Sequence, residues 1–140
     1  MFDIKKLEKI FKDYPYIASA YLFGSYSSGK AGPMSDVDIA ILLKGNAPAG
    51  RELIHEEDYL AYRIEKAIGV NQVDLIDLNS QGLIFCHNVL KTGKLIYNAD
   101  TAFRVRFETQ VISSFCDFEP TLSFMERFHF QGIKKRCISL

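Results

Sequence analysis

Apolar residues along this chain fall into two rhythms. Leu7, Ile10, Phe11 and Tyr14 recur at the spacing of one helix face over residues 3–13, and Pro15 ends that run. Ile17 to Phe23 and Ile39 to Leu43 are instead short, nearly continuous apolar runs, the form taken by strands buried on both faces of a sheet. Lys44 to Gly50 is turn chemistry. Helical spacing returns over residues 51–68, where Leu53, Leu60, Ala61, Ile64, Ala67 and Ile68 share a stripe closed by Gly69 in the C-cap position. Val73 to Leu78 reads as a further strand interrupted by acids. Asn79 or Ser80 then caps a helix to about Lys91, with Leu83, Ile84, His87 and Leu90 on its inner side, and Lys94 to Tyr97 makes a short edge strand. Asp100 caps a helix to about Phe118, Glu119-Pro120 breaks it, and Pro120 starts another to roughly Lys135. Strands alternating with helices predict an α/β fold: a small mixed sheet with helices and right-handed crossovers, one antiparallel strand allowed, plus a C-terminal helical tail.

Composition narrows the class. At 140 residues, 48% of them hydrophobic and 24% charged, the chain is predicted to be a single globular domain, with 1–98 as the α/β core and 99–140 as a helical extension. Its 17 basic and 17 acidic residues leave no net charge, which argues against long DNA or RNA as the partner. A nucleotide neutralised by metal needs no basic excess. Cys86, Cys116 and Cys137 show no metal-ligand spacing and read as thiols in a reducing compartment. The amphipathic N-terminus lacks a signal-peptide core, and no stretch reaches transmembrane length, so a cytoplasmic location is expected. His55, Glu56, Glu57, Asp58 and Glu65 read as a solvated helix face, and His87 as a core or boundary histidine.

Candidate chemistry gathers between Tyr21 and Leu43. A strand repeats every two residues, so Asp36 and Asp38 put both carboxylates on one face, about 7 Å apart along the chain. Flanked by Val37, Ile39 and Ile41, the pair is costly to leave alone, because like charges repel and burial penalises ionisation. A divalent metal removes that cost, and Mg²⁺ favours a few carboxylate oxygens plus phosphate and water. Gly24 permits an unobstructed turn, and Ser25 adds a hydroxyl and a backbone N–H. A helical turn over Ser25 to Lys30 would aim free N–H groups at an anion, with Ser27, Ser28 and Lys30 close by. Asp74 and Asp77 point to opposite faces of their strand, so only one of them can join Asp36 and Asp38. Asp74 lies within the strand; Asp77 sits near its end, placed to cap the next helix or face water.

The pattern Gly24-Ser25, ten residues, Asp36-x-Asp38 resembles the signature of the nucleotidyltransferase superfamily that includes DNA polymerase β. Over nearly the whole chain the resemblance is to stand-alone minimal nucleotidyltransferases, and more narrowly to MntA-type antitoxins encoded beside HEPN-domain toxins. It implies that Asp36, Asp38 and Asp74 hold two Mg²⁺ ions with ATP bound, Asp74 being the third carboxylate, and that Gly24 and Ser25 orient the phosphates. It further implies transfer of AMP from ATP to a tyrosine hydroxyl of a HEPN ribonuclease. Nucleotidyl transfer to a small molecule, and toxin neutralisation by occlusion without catalysis, share parts of the pattern.

Seven of the eleven phenylalanines follow residue 100: Phe103, Phe107, Phe115, Phe118, Phe124, Phe128 and Phe130. Burying one is worth about 1.5–3 kcal/mol. The first tail helix has a sheet face to cover, and part of Phe124 to Ile133 is expected to contact another protein chain.

Overall fold

The structure, a computed structural model, describes residues 3–24 and 36–138, with side chains of the last helix described through Arg127. Helix α1 (Ile4–Phe11) leads into strand β1 (Ile17–Phe23), followed by β2 (Val37–Leu43), α2 (Arg51–Ile68), β3 (Val73–Asp77), a 3₁₀ turn (Leu78–Ser80), α3 (Leu83–Thr92), β4 (Lys94–Asn98) and α4 (Thr101–Ile138). The strands form one sheet in the order β3-β2-β1-β4. It is mixed: β1 runs antiparallel to both β2 and β4, and β2 pairs in parallel with β3 through the α2 crossover. β2, β3 and β4 therefore run in one direction and β1 against them, the single antiparallel strand allowed from sequence.

Both faces of the sheet are covered, which is why its central strands are apolar throughout. On one side Val37, Ile39 and Ile41 of β2 join Leu7, Phe11, Leu60 and Ile64 of α1 and α2 in a buried cluster. On the other, Tyr21 and Ala40 meet Leu78, Cys86, Val89 and Val111 beneath α3 and α4. Local signals act as their chemistry requires. The Asp3 carboxylate accepts Lys5 N–H to cap α1, Gly69 closes α2 at φ 71°, and Asp100 accepts Phe103 N–H at the start of α4.

Three expectations are corrected. Neither Asn79 nor Ser80 caps α3. Asn79 instead accepts Leu43 N–H at 2.8 Å and donates to Leu43 O at 2.9 Å, continuing the β2 ladder with a side chain, and Gly82 precedes α3 without a side-chain cap. Ile84 is exposed; starting α3 later turns Cys86 and Val89 inward. The break at Pro120 does not occur, and α4 runs through it. Proline removes one N–H and crowds the preceding turn at about 3 kcal/mol, which a long helix with intact turns on both sides absorbs.

A polar clamp pins the base of α4. Buried Tyr21 donates its hydroxyl proton to Glu108 at 2.6 Å, and Arg104 binds the same carboxylate at 2.9 Å. Farther along, Phe107 packs into the core and Phe115 stacks flat on His87 at 3.6 Å, a half-buried boundary position for that histidine. Phe124 and Met125 are 63% and 55% exposed. Among the described residues no helix is long and apolar enough to cross a membrane. Cys86 is a buried free thiol and Cys116 an exposed one; the Cys137 side chain lies outside the described residues.

Candidate active site

Strand register decides which acids meet. In the parallel β2–β3 pairing Asp38 lies directly opposite Asp74, and neighbouring strands are only about 4.8 Å apart. The two carboxyl groups thus stand side by side on the α3/α4 face of the sheet, at its β3 end. Gln72 steadies the second one, its Nε2 donating to Asp74 Oδ1 at 3.0 Å. Asp36 is exposed, just before β2, and shares the parity of Asp38. The Asp38 carboxyl is pushed above the ordinary carboxylate range, first by burial, then by the charge of Asp74 and a hydrogen bond with it, and last by the charge of Asp36. All three predicted acids therefore act on one spot, Asp36 more remotely.

Gly24 closes this spot from the end of β1. Its φ is +73°, and a Cβ built there would collide with Asp38 Oδ2, so the backbone lies directly against the carboxylate. Only glycine satisfies both conditions. Ser25, Ser27, Ser28 and Lys30, the rest of the predicted phosphate cradle, lie outside the described residues.

Asp77 points the other way. It caps the 3₁₀ turn by accepting Ser80 N–H at 2.8 Å and faces Glu57 of α2. Two acids of α2 read from sequence as solvated are not: Glu65 accepts Val73 N–H at 3.0 Å, fixing the start of β3, and Glu57 Oε1 is buried and meets no hydrogen-bond donor among the described residues. Helical spacing alone hides both, because their partners lie on a strand rather than on α2. Burial, then the charge of Asp77 and a hydrogen bond with it, and then Asp58, push Glu57 up to about 7 from an ordinary 4.5. A raised acid favours the folded state fully below its unfolded value and loses that contribution as pH climbs through 7. The melting temperature should accordingly fall between pH 5 and 8, and Glu57→Gln should flatten much of that slope in a calorimetric pH series.

Among the described residues no three acidic, histidine or cysteine side chains form a ready-made metal cage. Asp38 and Asp74 nevertheless suit a hard cation: they offer carboxylate oxygens only, and their mutual repulsion is what a cation relieves. Mg²⁺ is held by one or two carboxylates plus phosphate oxygens and water, so a pair open to a nucleotide is sufficient.

Residues 5–102 match the family described as polymerase beta, nucleotidyltransferase. The chain belongs to that family. A curated relative, the protein adenylyltransferase MntA of Shewanella oneidensis, is 34% identical over 105 residues, covering 72% of this chain and 71% of its own. Among solved structures, a chain of a toxin–antitoxin with AMP-PNP superposes at a TM-score of 0.71 with 26% identity, over 91% of this chain and 98% of that one. A chain from a tri-AMPylated Shewanella oneidensis HEPN toxin in complex with MNT antitoxin superposes at 0.64 with 25% identity, over 90% and 95%. The fold of this nucleotidyltransferase, its mixed four-stranded sheet with a long C-terminal helix included, is that of these relatives.

Proposed function

We propose that this nucleotidyltransferase is an antitoxin-type protein adenylyltransferase, moving AMP from ATP to a tyrosine hydroxyl of a HEPN-domain toxin. The observation that carries the reading is the pairing of Asp38 with Asp74 beneath the Gly24 backbone. The MntA relative's name, and the AMP-PNP and AMPylated HEPN toxin in similar structures, support the donor and the acceptor.

Asp36, Asp38 and Asp74 are assigned to Mg²⁺, and Gly24 and Ser25 to the phosphates. Two bound Mg²⁺ ions would stabilise the attacking and leaving oxygens of an in-line displacement. Asp74, on the edge strand β3, holds the incoming hydroxyl and accepts its proton. The hydroxyl oxygen forms a bond to the α-phosphorus as the bond from that phosphorus to the bridging oxygen breaks, and pyrophosphate leaves. Gly24, lacking a side chain, lets the backbone approach the phosphates. The exposed Phe124 and Met125 on α4 are the surface assigned to contact with the toxin.

The test is incubation of the protein with α-labelled ATP, Mg²⁺ and the HEPN-domain protein encoded beside it. Label should appear on a tyrosine of the partner and vanish with EDTA. Label that survives EDTA would refute the metal assignment. Protection of cells by a doubly substituted Asp36→Asn, Asp38→Asn protein would replace catalysis with occlusion.

A further inference from the structure

Strand β3 is an edge of the sheet, and its outer side borders a cleft of about 360 Å³ that also reaches Asp38, Glu57 and Asp58. Residues 73–76 of β3 line this cleft in unbroken succession, so the backbone itself forms its floor. The ladder shows which backbone groups are open there. Val37 N–H donates to Gln72 O, so the groups of Gln72, Asp74 and Ile76 face β2, and those of Val73, Leu75 and Asp77 face outward. Val73 N–H is taken by Glu65. Among the described residues nothing pairs with the N–H and C=O of Leu75, which face outward along the cleft, an edge of the kind that extended peptides use for strand addition.

We propose that the acceptor protein docks here as an extended segment paired with β3, its hydroxyl-bearing residue opposite Asp74 and Arg or Lys on either side of it. The proposal rests on the adenylyltransferase reading and names the acceptor's shape and charge. Alternation dictates the pattern. A residue added opposite Asp74 projects its side chain on the face where Asp38 and Asp74 stand, continuous with the reacting groups. Its neighbours project on the opposite face, towards α2, where Asp58 and Glu57 line the cleft. A cation there would sit beside the Asp58 and Glu57 carboxyls that line the cleft, and would offset the like charge that Asp77 places next to Glu57. An acidic neighbour would add a further like charge, so the cleft discriminates by sign as well as by shape.

The test separates docking from chemistry. Binding of the labelled peptides Val-Arg-Tyr-Arg-Val and Val-Glu-Tyr-Glu-Val to the full chain is measured by fluorescence anisotropy, without nucleotide. The basic peptide should bind at least ~10-fold more tightly, and Asp58→Lys should erase most of that preference. Methylating the peptide amides one at a time should weaken binding by roughly 10-fold at every second position and leave the others unchanged, the mark of one paired strand edge. This scan uses unsubstituted protein, so it is independent of any variant's folding. Equal binding of the two peptides, or methylation effects without that alternation, would overturn the proposal. Selective, alternating binding with no AMP transfer to any peptide would keep the docking site and sink the adenylyltransferase reading. Transfer indifferent to charge and methylation would do the reverse.

Discussion

Asp38→Asn should reduce AMP transfer by about 10³-fold, the scale on which a site loses a group that stabilises developing charge, while the protein melts no lower, and at neutral pH higher, than the parent. The two effects have one origin. Asp38 is held partly buried against Asp74, with Asp36 adding charge, and its carboxyl is raised. The folded chain therefore holds that proton more tightly than the unfolded chain does. Ionisation at pH 7 counts against folding, and the stability fully present below the ordinary value of 3.8 is lost as pH rises through the folded one. Asparagine keeps the shape and removes the charge, so it relieves the fold and disarms the site. Activity assays paired with melting curves at pH 7 check both halves. A residue kept only for stability would show the opposite sign in the second measurement.

Gly24→Ala should lose activity on a comparable scale by a different route. At φ +73° an alanine is strained, and its Cβ would occupy the position of Asp38 Oδ2. Backbone strain and the collision together should cost about 1–3 kcal/mol, and a displacement of about 1 Å at a reacting centre costs roughly 100-fold in rate. Because the collision involves one named side chain, the double substitution Gly24→Ala, Asp38→Ala should recover part of the stability but none of the activity. Denaturant titration of the four proteins in that cycle isolates the coupling. Strict additivity would mean that Gly24 and Asp38 do not press on each other.

Much of this site is legible before any coordinates. Continuous apolar runs mark β1 and β2 because a strand covered on both faces has no polar side to alternate with, and Gly69 and Asp100 act through local backbone geometry alone. Parity shows only that one of Asp74 and Asp77 can join Asp38; the resemblance names Asp74, and the parallel register sets it opposite Asp38. Long-range pairings carry no such mark. Asn79 serves Leu43, 36 positions away, rather than the helix beside it, and Glu65 serves β3 rather than solvent. The contact of Gly24 with Asp38 depends on the antiparallel β1–β2 register, in which Phe23 stands opposite Asp38. Pro120 misleads for the reverse reason: its local rule is sound, but the long helix around it outweighs a single lost hydrogen bond.

The most direct test of the site is calorimetric titration of AMP-PNP into the protein, with Mg²⁺ and then with EDTA, repeated on Asp38→Asn and Asp74→Asn. Convergence of these carboxylates on one metal-bound nucleotide predicts binding that requires Mg²⁺ and drops at least ~10-fold in either variant. Equal affinity in EDTA, or an Asp74→Asn protein that binds as the parent does, would contradict it.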